Sequence, residues 1–344
     1  MPGKNNKKKT VSIARIAEES GVSPMTVSRA LRNAGGVKAA TRNHVLRVAE
    51  TLGYHRRGRV GRPSNGDVQT RPSVELVVGA AGRAWALFYS DLLTVVEREL
   101  SKRGYDCIVR TCTGDYREFL TLLDALKASP ACGTCLIGDF DADHLRALLD
   151  VVPGALLVDN PGDVDFEGPF ESLGFHNREA ARIGVTHLLR RGCKRILLVY
   201  GKPKHYFSRE IEQGYRQALC EASLAYDPAF VLSTDFSADN AYDVVSLAME
   251  QGLQFDGVFT NDEMACGIYR SLHRFRLGIP RDVAVCGCDN IPVVSQLVPP
   301  LTTVALDYRR LGGLVVEHML ADNRSLFADA RIRLRPHLVV RDST

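Results

Sequence analysis

From residue 74 onward, short apolar runs alternate with stretches of helical periodicity, and that alternation admits few folds. VELVVGA precedes a helical stretch at 86–103, YDCIVRTC one at 115–128, and GTCLIG one at 141–150, with GALLVD closing the series at 154–159. A second series begins with RILLVY at 195–200 and a helical stretch at 208–224. It continues with a run near FVLST before 238–251, GVFT at 257–260 before 262–277, and VAVCGC at 283–288. Strand-length runs alternating with helices make βαβ units, and βαβ units make parallel sheets covered by helices. Two successive series predict two similar lobes, although no sequence repeat links them.

Residues 10–54 follow another rule and predict three short helices. Ser12 caps the first, with Ile13, Ile16 and Ala17 on one face. Ser23 caps the second, and Pro24 takes the first helical position, where its missing N–H forfeits no bond. Thr41 to Leu52 forms the third, with Val45, Val48, Ala49 and Leu52 at helical spacing. At about 100° per residue, Val27, Ala30 and Leu31 share one side of the second helix, and Met25, Ser28, Arg29 and Arg32 the other. Gly21 stands where the turn between the first two helices needs a left-handed backbone. This is a helix-turn-helix, whose second helix enters the major groove of duplex DNA. Arg29 supplies the forked donor for guanine edges and Met25 an apolar contact for a thymine methyl. Ser12, Ser23, Thr26 and the helix N-termini hold phosphates.

Charge points the same way. The net charge of +4 hides an asymmetry: residues 1–72 carry 15 Lys and Arg against 4 Asp and Glu, and the remainder 29 against 36. A basic head on a mildly acidic body implies that only the head meets a polyanion.

Taken together, IARIAEESGVSPMTVSRALRN, Val37, the Thr41-Arg42 pair and the closing LGY at 52–54 resemble the head of the lac repressor family of bacterial transcription regulators. The resemblance continues through LVDN at 157–160, GFHNREAARIG at 174–184, FTNDEMACGI at 259–268, VCGCDN at 285–290 and PPLTTVALDYRRLG at 299–312. It implies that Thr26, Val27, Ser28 and Arg29 form the centre of a recognition helix, with Pro24 and Met25 where operator choice is set. It also implies a two-lobed body similar to periplasmic sugar-binding proteins, and a homodimer reading a pseudo-palindromic operator.

The chain departs from that pattern after Tyr54, itself counted among the DNA-facing residues. Family members place Tyr-x-Pro-Asn, an Ala and a Leu here, which fold into a hinge helix on DNA. This chain has HRRGRVGRP at 55–63. Gly58 and Gly61 each disfavour a helix by about 1 kcal/mol relative to Ala. The expectation is instead an extended basic arm that lays Arg57, Arg59 and Arg62 along the minor groove, with Gly61-Arg62-Pro63 similar to the core of AT-hook arms. A solvated linker is the alternative.

In open α/β sheets, ligands bind beyond the carboxyl ends of strands. Those ends carry Ala80–Arg83, Asp139, Asp159, Thr260-Asn261-Asp262 and Cys288-Asp289-Asn290, and Trp85 and Phe88 follow the first strand as an apolar wall. The resemblance implies that Asn261 and Asp289 bind effector hydroxyls. Asp159 joins them, since carboxylates and amides suit polyols. Asp262 reads equally well as a helix N-cap. The family's effector-binding Arg, three residues before Gly214, is Ile211 here, and Arg209 points about 200° round the helix from it. Lys202, Lys204 and His205 suit an acidic effector such as a sugar acid, or else form a surface loop.

Nine cysteines, an odd number, argue for free thiols rather than a disulfide scaffold. Cys132 and Cys135 show one CxxC spacing that enters a strand and lacks further ligands, so no metal or cofactor is expected. No nucleophile elbow, P-loop or paired acid and base marks a catalytic site. No apolar run reaches the length of a membrane span, and MPGKNNKKKT lacks the apolar core of a secretion signal, which predicts a cytoplasmic protein. The C-terminus has no leucine heptads, so a dimer without a coiled-coil tetramer is expected.

The expected plan is a three-helix head at 10–54, a basic linker at 55–72 and a two-lobed α/β body at 73–344. Lobe 1 takes about 73–160 plus 291–322, and lobe 2 about 161–290 plus 323–344. The function it implies is a transcription regulator, a repressor, whose operator affinity answers to a sugar or sugar acid bound between the lobes. A solute-binding protein without DNA function is the alternative.

Overall fold

The computed structural model describes residues 13–31, 38–52, 71–79, 85–112, 115–129, 131–160, 171–321 and 330–344. The chain separates into two compact units, Met1–Gln69 and Thr70–Thr344.

The first unit holds α1 (Ile13–Ser20), α2 (Pro24–Leu31) and α3 (Ala39–Thr51). Ile16 and Ala17 from α1, Val27 and Ala30 from α2, and Val45 and Ala49 from α3 form a buried core, with Val22, Val48 and Leu52 at its edge. Alanine recurs on all three helices, and its small side chain lets short helices approach closely. Ser23 caps α2 by accepting from the Thr26 N–H at 3.2 Å. Gly21 sits at φ +65°, the left-handed turn that its position between α1 and α2 requires. The cap expected at Ser12 and the side chains of Ile13 and Leu31 lie outside the described residues.

The second unit contains two six-stranded sheets. The chain runs through β1 (Ser73–Gly79), α4 (Trp85–Lys102), β2 (Asp106–Cys112), α5 (Tyr116–Ala128), β3 (Gly133–Gly138), α6 (Ala142–Val151), β4 (Leu156–Val158) and β5 (Glu171–Phe175). It crosses to the other lobe through α7 (Asn177–Arg190), β6 (Ile196–Tyr200), α8 (Tyr206–Glu221), β7 (Val231–Ser233), α9 (Ala238–Glu250), β8 (Gly257–Phe259), α10 (Asp262–Arg274), β9 (Ala284–Asp289) and β10 (Thr302–Ala305). It then returns with α11 (Tyr308–Met319) and β11 (Arg331–Leu334), and ends in β12 (His337–Val339).

The sheet orders are β2-β1-β3-β4-β5-β11 and β7-β6-β8-β9-β10-β12, the same doubly wound plan in each lobe. Every pairing is parallel except β10 with β12. Residues 74–79 of β1 and all of β6 and β9 are buried, as strands covered on both faces must be. One apolar cluster runs through both lobes, and each lobe has a second cluster of its own.

The strands divide between the lobes differently from the expectation at three places. Residues 171–175, expected in lobe 2, form β5 and pair with β4 in the first sheet. Residues 302–305, expected in lobe 1, form β10 beside β9 in the second. The last segment is shared, with β11 beside β5 and β12 beside β10. The cause is chain crossing. Each lobe completes its sheet with strands that arrive after the chain has visited the other lobe, and a split by sequence order cannot show this.

Candidate nucleic-acid interface and ligand cleft

On the head, α2 separates its two faces as its periodicity requires. Val27 and Ala30 are buried, Thr26 and Ser28 are half-buried, Arg29 is exposed, and Met25 is 68% exposed. A solvent-facing Met beside a hydroxyl and a guanidinium is what a helix needs to meet base edges and methyl groups. Pro24 opens the helix, and the Ser23 hydroxyl lies 2.9 Å from that of Thr26. Ser12, Arg32, Tyr54, Arg57, Arg59 and Arg62 lie outside the described residues.

In the body, the carboxyl ends of strands from both lobes converge. Asp159, just past β4, is buried in a left-handed conformation at φ +51°. Its Oδ2 accepts from the Tyr89 hydroxyl at 2.8 Å, and its backbone oxygen accepts from the Tyr206 hydroxyl, so α4 and α8 both reach it. Burial pushes the Asp159 carboxyl up to about 6, against the opposing pull of the two tyrosines and Arg333. Asp289, at the end of β9, is also buried and holds φ +114°. Its Oδ2 has no hydrogen-bond partner among the described residues. Burial, then the charges of Asp262 and Asp159, raise its pKa well above the carboxylate range. The backbone N–H of Asp262 serves the carboxylate, so one oxygen of this buried group is left without a donor, on backbone with a positive φ, a combination that clusters at functional sites.

Asn261 lies close by, but its side chain caps α10 by accepting from Met264 N–H at 3.1 Å. That leaves its amide N–H groups, rather than its oxygen, as the part not engaged by the cap. Asp262 is neither a cap nor a ligand group. It is fully buried, its Oδ1 accepts from the Thr303 hydroxyl at 2.6 Å, and its Oδ2 accepts from Ile291 N–H at 2.9 Å. It therefore ties α10 to β10 and to the segment after β9, and burial pushes its carboxyl up to about 7. A Cβ on Gly287 would stand 2.1 Å from Asp262 Oδ1, which explains the glycine between Cys286 and Cys288. Those two thiols are buried, and burial raises both, so neither is a reactive thiolate.

Trp85 and Phe88 fall in the first turn of α4, and their side chains lie outside the described residues. The aromatic wall that is described comes from other residues. Tyr308 stacks edge-on against Tyr89 at 6.1 Å and Phe175 at 4.9 Å. Arg333 on β11 is a further site residue that sequence reasoning misses. It shares a small hollow of about 110 Å³ with Asp159, Asn177 and Tyr206, and its Nη1 donates to the Ser172 hydroxyl at 3.0 Å. Tyr89 follows Phe88 directly, which is an available signal. Arg333 offers none, because its strand does not read as one.

Ile211, which stands where the family has its effector-binding Arg, is 3% exposed and belongs to the core. Arg209 is exposed and lies on the wall of a separate hollow of about 300 Å³ with Asp139, Lys202, Lys204 and His205. His205 caps α8: its Nδ1 accepts from Phe207 N–H at 3.2 Å, which places the ring proton on Nε2, 3.5 Å from Asp139 Oδ2. Burial lowers the His205 pKa, and Asp139 opposes that shift. The loop after β6 therefore touches the opposite lobe through His205 and Tyr206.

No helix among the described residues is long and apolar enough to cross a membrane. No group of His, Cys, Asp and Glu among them is arranged to hold a metal ion.

Comparison with known proteins agrees with both halves. Residues 12–57 match the model for bacterial regulatory proteins of the lacI family, and residues 185–344 match the periplasmic binding protein-like domain. The HTH-type transcriptional repressor CytR of Escherichia coli is 28% identical over 338 residues, 96% of this chain and 95% of that one. The ribose operon repressor of the same organism is 27% identical over 261 residues, covering 74% and 78%. Among solved structures, the transcriptional regulator CelR–cellobiose complex aligns at 27% identity with a TM-score of 0.71, over 97% of this chain and 100% of that one. The lac repressor dimer bound to operator shares the fold, with a TM-score of 0.70 at 23% identity over 98% and 99%. A helix-turn-helix head that matches the lacI-family model, followed by a body that matches the periplasmic binding protein-like domain and aligned along nearly the whole chain with curated repressors, makes this protein a homologue of the lacI-family repressors.

Proposed function

We propose that this protein is a sequence-specific repressor of transcription whose grip on its operator is set by a small hydroxylated ligand, a sugar or sugar acid, held between the two lobes. The observation that carries the reading is the Asp289 carboxylate. It is buried at a strand end facing the other lobe, one of its oxygens lacks a donor, and it belongs to a chain whose head presents a bare recognition face. Ligand hydroxyls would supply the missing donors to Asp289 and Asp159, and the amide of Asn261 would add its N–H groups. The aromatic residues Tyr89 and Tyr308 would cover an apolar sugar face.

The protein acts in the cytoplasm as a homodimer. A twofold axis presents two copies of α2 to half-sites about one helical turn apart. Three connections tie the lobes, at residues 175–177, 305–308 and 334–337. A ligand that prefers one lobe arrangement shifts the dimer between DNA-binding states, and only such a differential affinity switches anything. CelR was solved with cellobiose, and the curated relatives include a ribose operon repressor by name, which supports a ligand of this size class.

The test is a fluorescence anisotropy titration of the full chain with duplex fragments from the promoter of its own operon and a scrambled control, with and without a panel of sugars. Specific fragments should bind at least about a thousandfold more tightly than the control, and one ligand class should change that affinity. Equal affinity for both fragments overturns the reading.

The basic segment at 55–72 has its own readout. Deleting it should lower the slope of log affinity against log salt by about 0.9 for each phosphate that the arm neutralises, so by about two or three for an arm carrying Arg57, Arg59 and Arg62. An unchanged slope makes the segment a plain tether.

A further inference from the structure

The hollow that holds Lys202, Lys204 and Arg209 is separate from the carboxylate site, and its chemistry is opposite. Its volume is about 300 Å³, at the small end for a ligand pocket. The first lobe contributes Asp139 and Asp141 from the segment after β3, and the second contributes the loop after β6 and the start of α8. Both carboxylates on the first-lobe wall are already engaged. Asp141 caps α6 through His144 N–H at 2.8 Å and pairs with His144 Nδ1 at 2.7 Å, and Asp139 faces His205 Nε2.

The lysines opposite are not so engaged. Arginines elsewhere on the body surface pair with carboxylates, as Arg182 does with Glu179, Arg216 with Glu212 and Arg270 with Asp239. Lys202 and Lys204 form no ion pair among the described residues, although the charge of Lys202 is felt by Asp235 and His205.

The loop that carries the lysines is held at both ends. A Cβ on Gly201 would fall 2.0 Å from the Phe236 ring, so only glycine fits there. At the other end, the His205 ring stacks on Tyr206 and meets the edge of Phe236, each at 5.0 Å, and His205 N–H donates back to the Lys202 carbonyl at 3.0 Å. A loop fixed in this way presents its two ammonium groups in a set place, and the amino-terminal end of α8 adds a positive dipole. The buried Ile211 leaves α8 without a cation at the family position, so the cations of this region gather at the rim instead.

Resting on the reading of a ligand-controlled regulator above, we infer that the ligand of this cleft carries an acidic group, a carboxylate or a phosphate ester, held by Lys202, Lys204 and Arg209. Its hydroxylated part reaches Asp159 and Asp289, and its anionic part fills the basic hollow between the lobes. The anion pairs with the second-lobe cations while the hydroxylated part reaches Asp159 of the first lobe, so an acidic ligand ties the two lobes together and favours the closed arrangement more than a neutral sugar does.

The test is isothermal titration calorimetry on the full chain and on the double variant K202Q/K204Q, with matched neutral and acidic ligands: glucose with gluconate and glucose 6-phosphate, galactose with galacturonate, and ribose with ribose 5-phosphate. For the class that binds, the acidic member should bind at least about tenfold more tightly than its neutral counterpart. The double variant should weaken binding of that acid about tenfold and leave the neutral sugar unchanged, since each charge-assisted bond from an exposed lysine is worth a few-fold. The aldonate and uronate arms against the phosphate arms tell which acid the hollow takes. Neutral sugars binding as tightly as their acids, with the variant unaltered, overturn this inference and leave the regulator reading standing. No response from any member of the panel, neutral or acidic, overturns both. Both lysines are exposed, so the variant should keep the circular dichroism and melting temperature of the parent.

Discussion

Replacing Arg29 by Ala is expected to lower affinity for the cognate promoter fragment by roughly ten- to a hundredfold and to flatten discrimination between that fragment and a scrambled one. The reasoning is geometric. Arg29 is exposed on α2, opposite Val27 and Ala30, which are buried against α1 and α3. Its removal leaves the head core intact, so the melting temperature should hold. A guanidinium bidentate to guanine contributes about 1–3 kcal/mol of discrimination, which sets the size of the effect. Arg29→Lys keeps the charge but not the fork, and should recover general affinity while leaving discrimination poor. Salt dependence separates the possible roles. A base contact leaves the slope of log affinity against log salt nearly unchanged on substitution, whereas removing a phosphate contact lowers it by about 0.9 and weakens all sequences alike. Full retention of affinity and preference in Arg29→Ala would remove the recognition helix from the account.

The second large effect is expected at Asp289. Asp289→Asn should raise the melting temperature of the ligand-free protein at pH 7 by a few degrees and weaken effector binding at least tenfold. In the folded chain the Asp289 carboxyl titrates well above its ordinary range because it is buried near Asp262 and Asp159. A carboxyl whose folded pKa is raised holds its proton where the unfolded chain has already released it. Its stability contribution is complete below the unfolded value and is lost as pH climbs through the folded one. For Asp159 that decline spans about pH 4 to 6, and for Asp262 about pH 4 to 7. A shift from near 4 to about 6 corresponds to about 3 kcal/mol for Asp159 at neutral pH. The neutral amide of Asn avoids the cost of ionisation at position 289, and Asn tolerates a positive φ better than most residues.

The same substitution exchanges an acceptor of two ligand hydroxyls for a group that accepts only through its oxygen. Bonds to a charged group are worth about 1.5–3 kcal/mol, hence the predicted fall in affinity. In the parent, affinity should rise with pH across the window in which Asp159 and Asp289 ionise, because hydroxyl donors favour the charged form. Stability and binding that fall together in Asp289→Asn, or a variant that binds the effector as the parent does, would show that Asp289 is a structural residue. The expected opposition between stability and affinity is what a site kept for a ligand produces.

How far the sequence can be read depends on whether a signal is local. The strands β1, β3, β6 and β9 stand out as apolar runs because each is buried on both faces. β10 does not, although it is just as buried. Its sequence is TTVA, and its hydroxyls are satisfied from elsewhere: Thr302 Oγ1 by Arg341 and Thr344, and Thr303 Oγ1 by Asp262. β11, RIRL, is an edge strand with both arginines on one side, and it reads as a polar segment. The chemistry of single side chains depends on distance in the same way. Ser23 is legible as a cap because its partner is three residues away. Asp262 reads as a cap from its position, yet Asn261 holds that role, because the partners of Asp262 lie on β10 and on the segment that follows β9.

Residue spacing alone determined the recognition helix, its turn glycine and its cap, the alternation of strands and helices, and the basic head on an acidic body. All of these rest on neighbours within a few positions, or on summed charge. The tertiary structure decided which strands complete which sheet, that Asp159 and Asp289 are buried and that an oxygen of Asp289 lacks a donor, that Ile211 is core, and that Lys202, Lys204 and Arg209 share a hollow across from Asp139. These depend on segments far apart in the chain meeting at strand ends. The cost of burying a carboxylate arises only when the whole fold has excluded water from it.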